Sequence, residues 1–176
     1  MIMDWGRGCC QGQPLPQKIQ WAKPTKDLIL ILFIDACVKK IFRFGKSFAW
    51  PRPKRCPRCR GRIWGHGYTS AYFDGFTDPL WLKRYRCADC GSVIRVRPKG
   101  YWPRFQASID AIRRSISYRL THHKWLPDLP RPRQRHWLRG LRRQVFFHLG
   151  AAFSGDLLRA FDELSTRGII AAGRAI

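Results

Sequence analysis

Apolar positions change their period along this chain, and each change marks an element. From Leu28 to Val38 ten of eleven residues are apolar, with Asp35 the interruption and Lys39, Lys40 and Arg43 following. This run fits a strand leading into a short helix or one helix throughout, and periodicity alone does not separate the two. It is shorter than the about 20 apolar residues a membrane span needs. Arg62 to Tyr72 and Leu80 to Arg86 mix aromatic, β-branched and long basic residues. Asp74-Gly75 and Asp78-Pro79 lie between them, so short antiparallel strands are predicted. Gly65-His66-Gly67 has the composition of a turn. Val93 to Arg97 alternates Ile94 and Val96 with Val93, Arg95 and Arg97, a strand with one face packed and the other carrying arginine outward.

After Pro103 the period lengthens. Phe105, Ile109, Ile112, Ile116 and Leu120 recur at three- and four-residue steps, which predicts an amphipathic helix from Phe105. Trp125 to Pro132 holds three prolines and forms a connector. Trp137, Leu141, Val145 and His148 or Leu149 then mark a second helix, flanked by arginines. A third begins near Ser154 or Asp156, turns Leu157, Leu158, Phe161 and Leu164 inward and stops at Gly168. Three helices with a basic middle member suit a helix-turn-helix-like unit. Met1 to Lys26, rich in Gly and Pro and without an apolar period, is predicted to be a poorly ordered leader or wrapped arm. The expected organisation is therefore a leader (1–26), an apolar strand or helix segment (27–50) packing on a cysteine-bearing region (51–104), and a helical region (105–176).

Charge narrows the function. Of the 176 residues, 34 are Lys or Arg and 11 are Asp or Glu, a net charge of +23. The region 51–104 carries 13 basic and 3 acidic residues, 105–148 carries 10 and 2, and 149–176 is balanced at three each. A same-sign excess over about a hundred residues repels itself, so a polyanionic partner is expected rather than a solvated face. Arginine dominates, and its planar fork of donors matches phosphate oxygens and guanine edges. The expected partner is nucleic acid, with no membrane and no small-molecule substrate. The N-terminus has neither the charged region nor the cleavage site of a secretory signal, and a cytoplasmic, nucleoid-associated location is expected.

Cysteine carries the chemistry. Cys56-Pro57-Arg58-Cys59 and Cys87-Ala88-Asp89-Cys90 are separated by 27 residues, while Cys9, Cys10 and Cys37 are scattered. Two residues between cysteines let both thiolates face one ion, and two such knuckles complete a tetrahedral zinc site with no open position for a substrate. Cys56, Cys59, Cys87 and Cys90 are the expected Zn(II) ligands. A redox CxxC is the rival, and it would require one exposed, low-pKa thiolate at a helix N-terminus. Gly91 follows the second knuckle and lets the backbone turn back, whereas Arg60 holds that place in the first, with Gly61 one residue later. His66 is read as a surface or stacking residue, because four thiolates already satisfy the ion.

Trp64, Tyr68, Tyr72, Phe73, Trp81 and Tyr85 interleave with Arg62, Lys83, Arg84 and Arg86. Such a mixture can stack bases and hold phosphates, although the aromatic residues also suit a small core. The candidate nucleic-acid contacts are Arg62, Lys83, Arg84 and Arg86 in this region and Arg133, Arg135, Arg139, Arg142 and Arg143 in the second helix. The acidic residues are ten Asp and Glu163, with no evident trio to hold catalytic ions, and no GxxxxGK[ST], GxSxG or HExxH occurs. No enzymatic activity is expected.

The motifs Trp50-Pro51-Arg52-Pro53 through Cys56-Pro57-Arg58-Cys59, Ile63-Trp64-Gly65-His66-Gly67-Tyr68, Trp81-Leu82-Lys83-Arg84-Tyr85-Arg86-Cys87 and Arg97-Pro98-Lys99-Gly100-Tyr101-Trp102-Pro103 together resemble bacterial zinc-ribbon proteins associated with insertion sequences. The likeness continues through Arg133-Gln134-Arg135-His136-Trp137-Leu138 and spans roughly Leu28 to Ile176. It implies a small DNA-binding accessory or regulator encoded with a transposase, similar to the zinc-ribbon and helix-turn-helix front ends of transposases but without their catalytic domain. The expectation is thus an α+β protein: a small antiparallel four-cysteine zinc ribbon followed by a three-helix, helix-turn-helix-like bundle. It would bind DNA in preference to RNA, with a transposase or recombinase as a further partner. An RNA- or ribosome-associated ribbon, a protein-interaction adaptor and a nuclease or recombinase fragment are the alternatives.

Overall fold

The computed structural model describes residues 29–150 and 153–173, so the expectation for Met1 to Lys26 lies outside the described residues. The architecture is α+β. The chain divides into two units, Met1–Lys99 and Gly100–Ile176.

In the first unit the apolar run becomes β1 (Ile29–Ile34) followed by α1 (Val38–Phe44) and a 3-10 turn at Gly45–Ser47. Strand and helix, the first of the two possibilities, is the outcome. β2 (Ile63–Ala71), β3 (Leu80–Cys87) and β4 (Val93–Pro98) come next, and the sheet order is β1-β4-β3-β2. The pairs β2–β3 and β3–β4 are antiparallel, but β1 lies parallel to β4 from Ile29↔Val93 to Ile34↔Pro98. The strands of 51–104 are antiparallel as expected, and β1 of the preceding segment extends them into a mixed four-stranded sheet. On the edge of β4, β1 sets its apolar residues beside those of that strand. Leu30, Leu32 and Ile34 then pack against buried Ile94 and Val96, together with Ile63, Tyr85, Cys56 and Cys87.

Gly65-His66-Gly67 is not a turn. It lies inside β2, where the register jumps between Gly65↔Tyr85 and Tyr68↔Lys83, leaving His66 and Gly67 opposite Arg84 alone. Gly67 has φ +70°, the left-handed geometry of a glycine bulge, so the glycine that suggested a chain reversal instead inserts one residue into a continuing strand.

In the second unit α2 (Ile109–His122), α3 (Arg131–Leu149) and α4 (Leu157–Thr166) surround one core. α2 starts at Ile109 rather than at Phe105, because Ser108 Oγ accepts the Ala111 N–H at 3.1 Å and caps the helix there. Phe105 stays outside the helix and packs its ring 5.6 Å from Trp102. α3 begins one residue before Pro132, where a missing N–H costs nothing. α4 is capped by Asp156, whose carboxylate accepts the Leu158 N–H at 3.1 Å. Ile112, Ile116, Trp137, Leu141, Val145, Phe161 and Leu164 are buried together, and Ala171 and Ala172 close the core. The Arg113 guanidinium makes two 2.7 Å bonds to Asp162, joining α2 to α4. That contact holds the Asp162 carboxyl below its ordinary range and raises Arg113. Among the described residues no helix is long and apolar enough to cross a membrane.

Candidate metal centre and basic surfaces

The two knuckles are built by backbone hydrogen bonds. In the first, the Arg60 N–H donates to Cys56 O at 2.8 Å and the Cys56 N–H to Gly61 O at 2.9 Å. In the second, the Cys87 N–H donates to Ser92 O at 3.0 Å. The Ala88 N–H donates to Arg62 O at 3.0 Å and ties the knuckles together. The residue after each second cysteine takes the left-handed conformation: Gly91 at φ +69° and Arg60 at φ +61°. The first knuckle thus performs the same reversal without a glycine, at a steric cost of about 1 kcal/mol. Gly61 serves another purpose, since a Cβ there would lie 1.8 Å from Asp89 Oδ2 of the opposite knuckle.

This scaffold brings the Sγ atoms of Cys56, Cys59, Cys87 and Cys90 within 4.8 Å of one another. Cys56 and Cys90 are 3.7 Å apart at sulfur, and Cys59 and Cys87 are 3.4 Å apart. A disulfide would need about 2.05 Å. A tetrahedron of sulfurs about 2.3 Å from a central ion has edges of about 3.8 Å, close to the spacing found. The four sulfurs can hold a metal ion, and among the described residues they are the one such group. His66 is not part of it. Ser92, buried and 3.2 Å from Cys90 Sγ, supports the site from behind.

The protonation of the sulfurs points the same way. The Ser92 side chain, ahead of opposing burial, lowers Cys90 to about 6. The Gly61 N–H acts to lower Cys59, but its three neighbouring cysteines together with burial overcome this and push it up to about 12. Thiols this close cannot all ionise without a cation between them, because each new negative charge is repelled by the last.

The candidate nucleic-acid residues separate into three groups. Arg62 is exposed beside the first knuckle, where Lys54, Arg55, Arg58 and Arg60 are exposed as well. Those four had registered in the sequence only as part of a regional charge excess. Arg84 and Arg86 share one face of β3, and cross-strand pairing sets Arg84 beside Arg95 and Arg86 beside Trp64. Lys83 projects to the other face, with its ammonium 4.2 Å from the Tyr68 ring centre. Arg95 was legible from the alternation of β4, though not its pairing with Arg84.

On α3, Arg135, Arg139, Arg142 and Arg143 are all exposed. At 100° per residue they occupy one side of the helix with Arg131, opposite buried Trp137, Leu141, Gln144 and Val145. Among the described residues none of these five arginines has a carboxylate partner. Arg133 stands apart, half-buried with its guanidinium 5.1 Å from the Trp137 ring centre. Exposed Phe146 and Phe147 end the basic side. No protein-family model matches this chain, and comparisons with curated proteins and with solved structures found no match either.

Proposed function

We propose that this protein is a zinc-dependent, non-catalytic DNA-binding accessory or regulatory protein of a mobile genetic element. The observation that carries the reading is the side of α3 holding Arg131, Arg135, Arg139, Arg142 and Arg143, unpaired among the described residues. Five like charges along one helix face repel each other and are stabilised by a polyanion laid against them. Zn(II) on Cys56, Cys59, Cys87 and Cys90 holds the second basic surface in shape. Zinc suits four thiolates better than the hard cations do, and a closed set of four serves structure rather than catalysis.

The connection between α2 and α3, residues 123–130, is longer than the three or four residues of a helix-turn-helix turn. The proposed role of α3 therefore rests on its arginines, with phosphate contact as the main mode and base reading secondary. The mobile-element setting, a transposase partner and a nucleoid location rest on the motif resemblance.

Duplex DNA titrated with the zinc-loaded protein at several salt concentrations tests the reading. Four phosphate contacts give a log–log slope near about −3.6, roughly a hundredfold loss of affinity between about 50 and 200 mM salt. A flat response removes the electrostatic argument. An RNA-associated ribbon is the second reading, favoured by exposed Trp64 beside Arg86, because unpaired bases stack on such rings. Competition between duplex DNA and structured RNA separates the two.

A further inference from the structure

Cross-strand pairing collects Trp64, Arg84, Arg86 and Arg95 on one face of the sheet, towards the end that bears the cysteines. Arg84 and Arg95 are direct partners across β3 and β4, an arrangement of like charges that a sheet ordinarily avoids. The Nε of each is shielded from solvent and meets no hydrogen-bond acceptor. No carboxylate among the described residues forms an ion pair with Arg84, Arg86 or Arg95. Trp64, opposite Arg86, is 53 % exposed, so an indole of large area lies open next to the guanidinium row. The Arg84 guanidinium reaches towards Gly67 of β2, the strand that carries Trp64. Guanidinium groups without a counter-charge are completed by an oxyanion, and the open indole offers a platform for a flat ring.

We infer that this face is a subsite for an unpaired nucleic-acid strand, with Arg84, Arg86 and Arg95 each on a phosphodiester and a base stacked on Trp64. The inference rests on the nucleic-acid reading and divides its labour: α3 tracks duplex phosphates, and the sheet face takes strand that has left the duplex. Such a division suits a protein acting where a duplex is opened or ends. The requirement is for π-faces and phosphates rather than base edges, so the subsite tolerates any sequence.

The test uses the full-length, metal-loaded protein with fluorescein-labelled oligothymidylate, oligouridylate and a blunt duplex of arbitrary sequence. Trp64→Ala should weaken binding of the single-stranded probes by about five- to a hundredfold. The double variant Arg84→Gln/Arg95→Gln should reduce their salt slope by about 1.4, two single-strand phosphate contacts. Both variants should weaken duplex binding by a smaller factor than single-strand binding, since the arginines of α3 are untouched. The ligand-free melting temperature of the double variant should rise, because a repulsion is removed. A merely structural pair would lower it. Single-strand affinity unchanged in both variants, or duplex affinity falling in parallel, overturns the inference while leaving the proposed DNA-binding function intact. Wild-type protein that binds no probe overturns both.

Discussion

Gln134 of α3 and Leu126 of the preceding connection are joined in both directions. The Gln134 Nε2 donates to Leu126 O at 2.8 Å, and the Leu126 N–H donates to Gln134 Oε1 at 3.1 Å. The same side chain, 0 % exposed, donates to Leu129 O at 2.7 Å and accepts the Ser115 hydroxyl at 2.8 Å. One amide thus satisfies two backbone carbonyls, a backbone N–H and a hydroxyl, and pins the α2–α3 connection onto α3.

Gln134→Leu keeps the volume and loses all four bonds. Leaving the buried Ser115 hydroxyl and three half-buried backbone groups unpaired should destabilise the helical unit by about 2 to 4 kcal/mol, read from the midpoint of urea unfolding. Metal content should stay unchanged, because the cysteines belong to the other unit. A loss below about 0.5 kcal/mol would mean that water replaces the amide.

Gly140 tests how the neutral C-terminal stretch is held. Its Cβ would meet Ala172 O at 2.3 Å and the Ala172 carbonyl carbon at 2.7 Å. Helix propensity favours Gly140→Ala by about 1 kcal/mol, but the obstacle is backbone and cannot rotate away. The expected net effect is a loss of about 1 to 3 kcal/mol in thermal unfolding. A gain would show that the turn after α4 yields freely.

Arg60 and Gly91 occupy equivalent left-handed positions, so their substitutions should have opposite signs. Arg60→Gly should raise the stability of the metal-loaded first unit by about 0.5 to 1 kcal/mol. Gly91→Ala should lower it by about 1 kcal/mol although its Cβ meets nothing within 4 Å, since only backbone strain is added. Competition with a chromophoric chelator reads both effects as changes in metal affinity.

Metal binding should release protons. At neutral pH Cys90, at about 6, is already largely thiolate, whereas Cys59, at about 12, must give up its proton to become a ligand. Calorimetric titrations of the apoprotein with zinc in buffers of different ionisation enthalpy should therefore report at least one proton released at pH 7. Affinity should fall as pH falls, and more steeply below about 6, where Cys90 also becomes protonated. Chelator treatment should unfold the cysteine end of the sheet while the helical far-ultraviolet signal persists, because each unit has its own core. A pH-independent affinity would mean that the sulfurs are not the ligands.

Short-range patterns were the legible part of this protein. The two CxxC pairs, the alternation of β4, the stripes of α2 and α3 and a start of α4 near Ser154 or Asp156 each depend on residues a few positions apart, and each appears in the fold, with Asp156 as the cap of α4. The start of α2 was misjudged because Phe105 continues the helical spacing. The period could not register that Ser108 Oγ would satisfy the Ala111 N–H and set the boundary.

What the amino-acid order determined by itself is a strongly basic chain with four cysteines in ligand spacing, because charge and local spacing need no partner to be read. Tertiary structure alone decided that β1 joins β4 in parallel, that Gly67 makes a bulge and that Arg84 pairs across strands with Arg95. It alone also set Gly140 against the carbonyl of Ala172. Each of these depends on which distant segment fills a sheet edge or a core face. That choice is made by burial summed over the whole unit, which no local window contains.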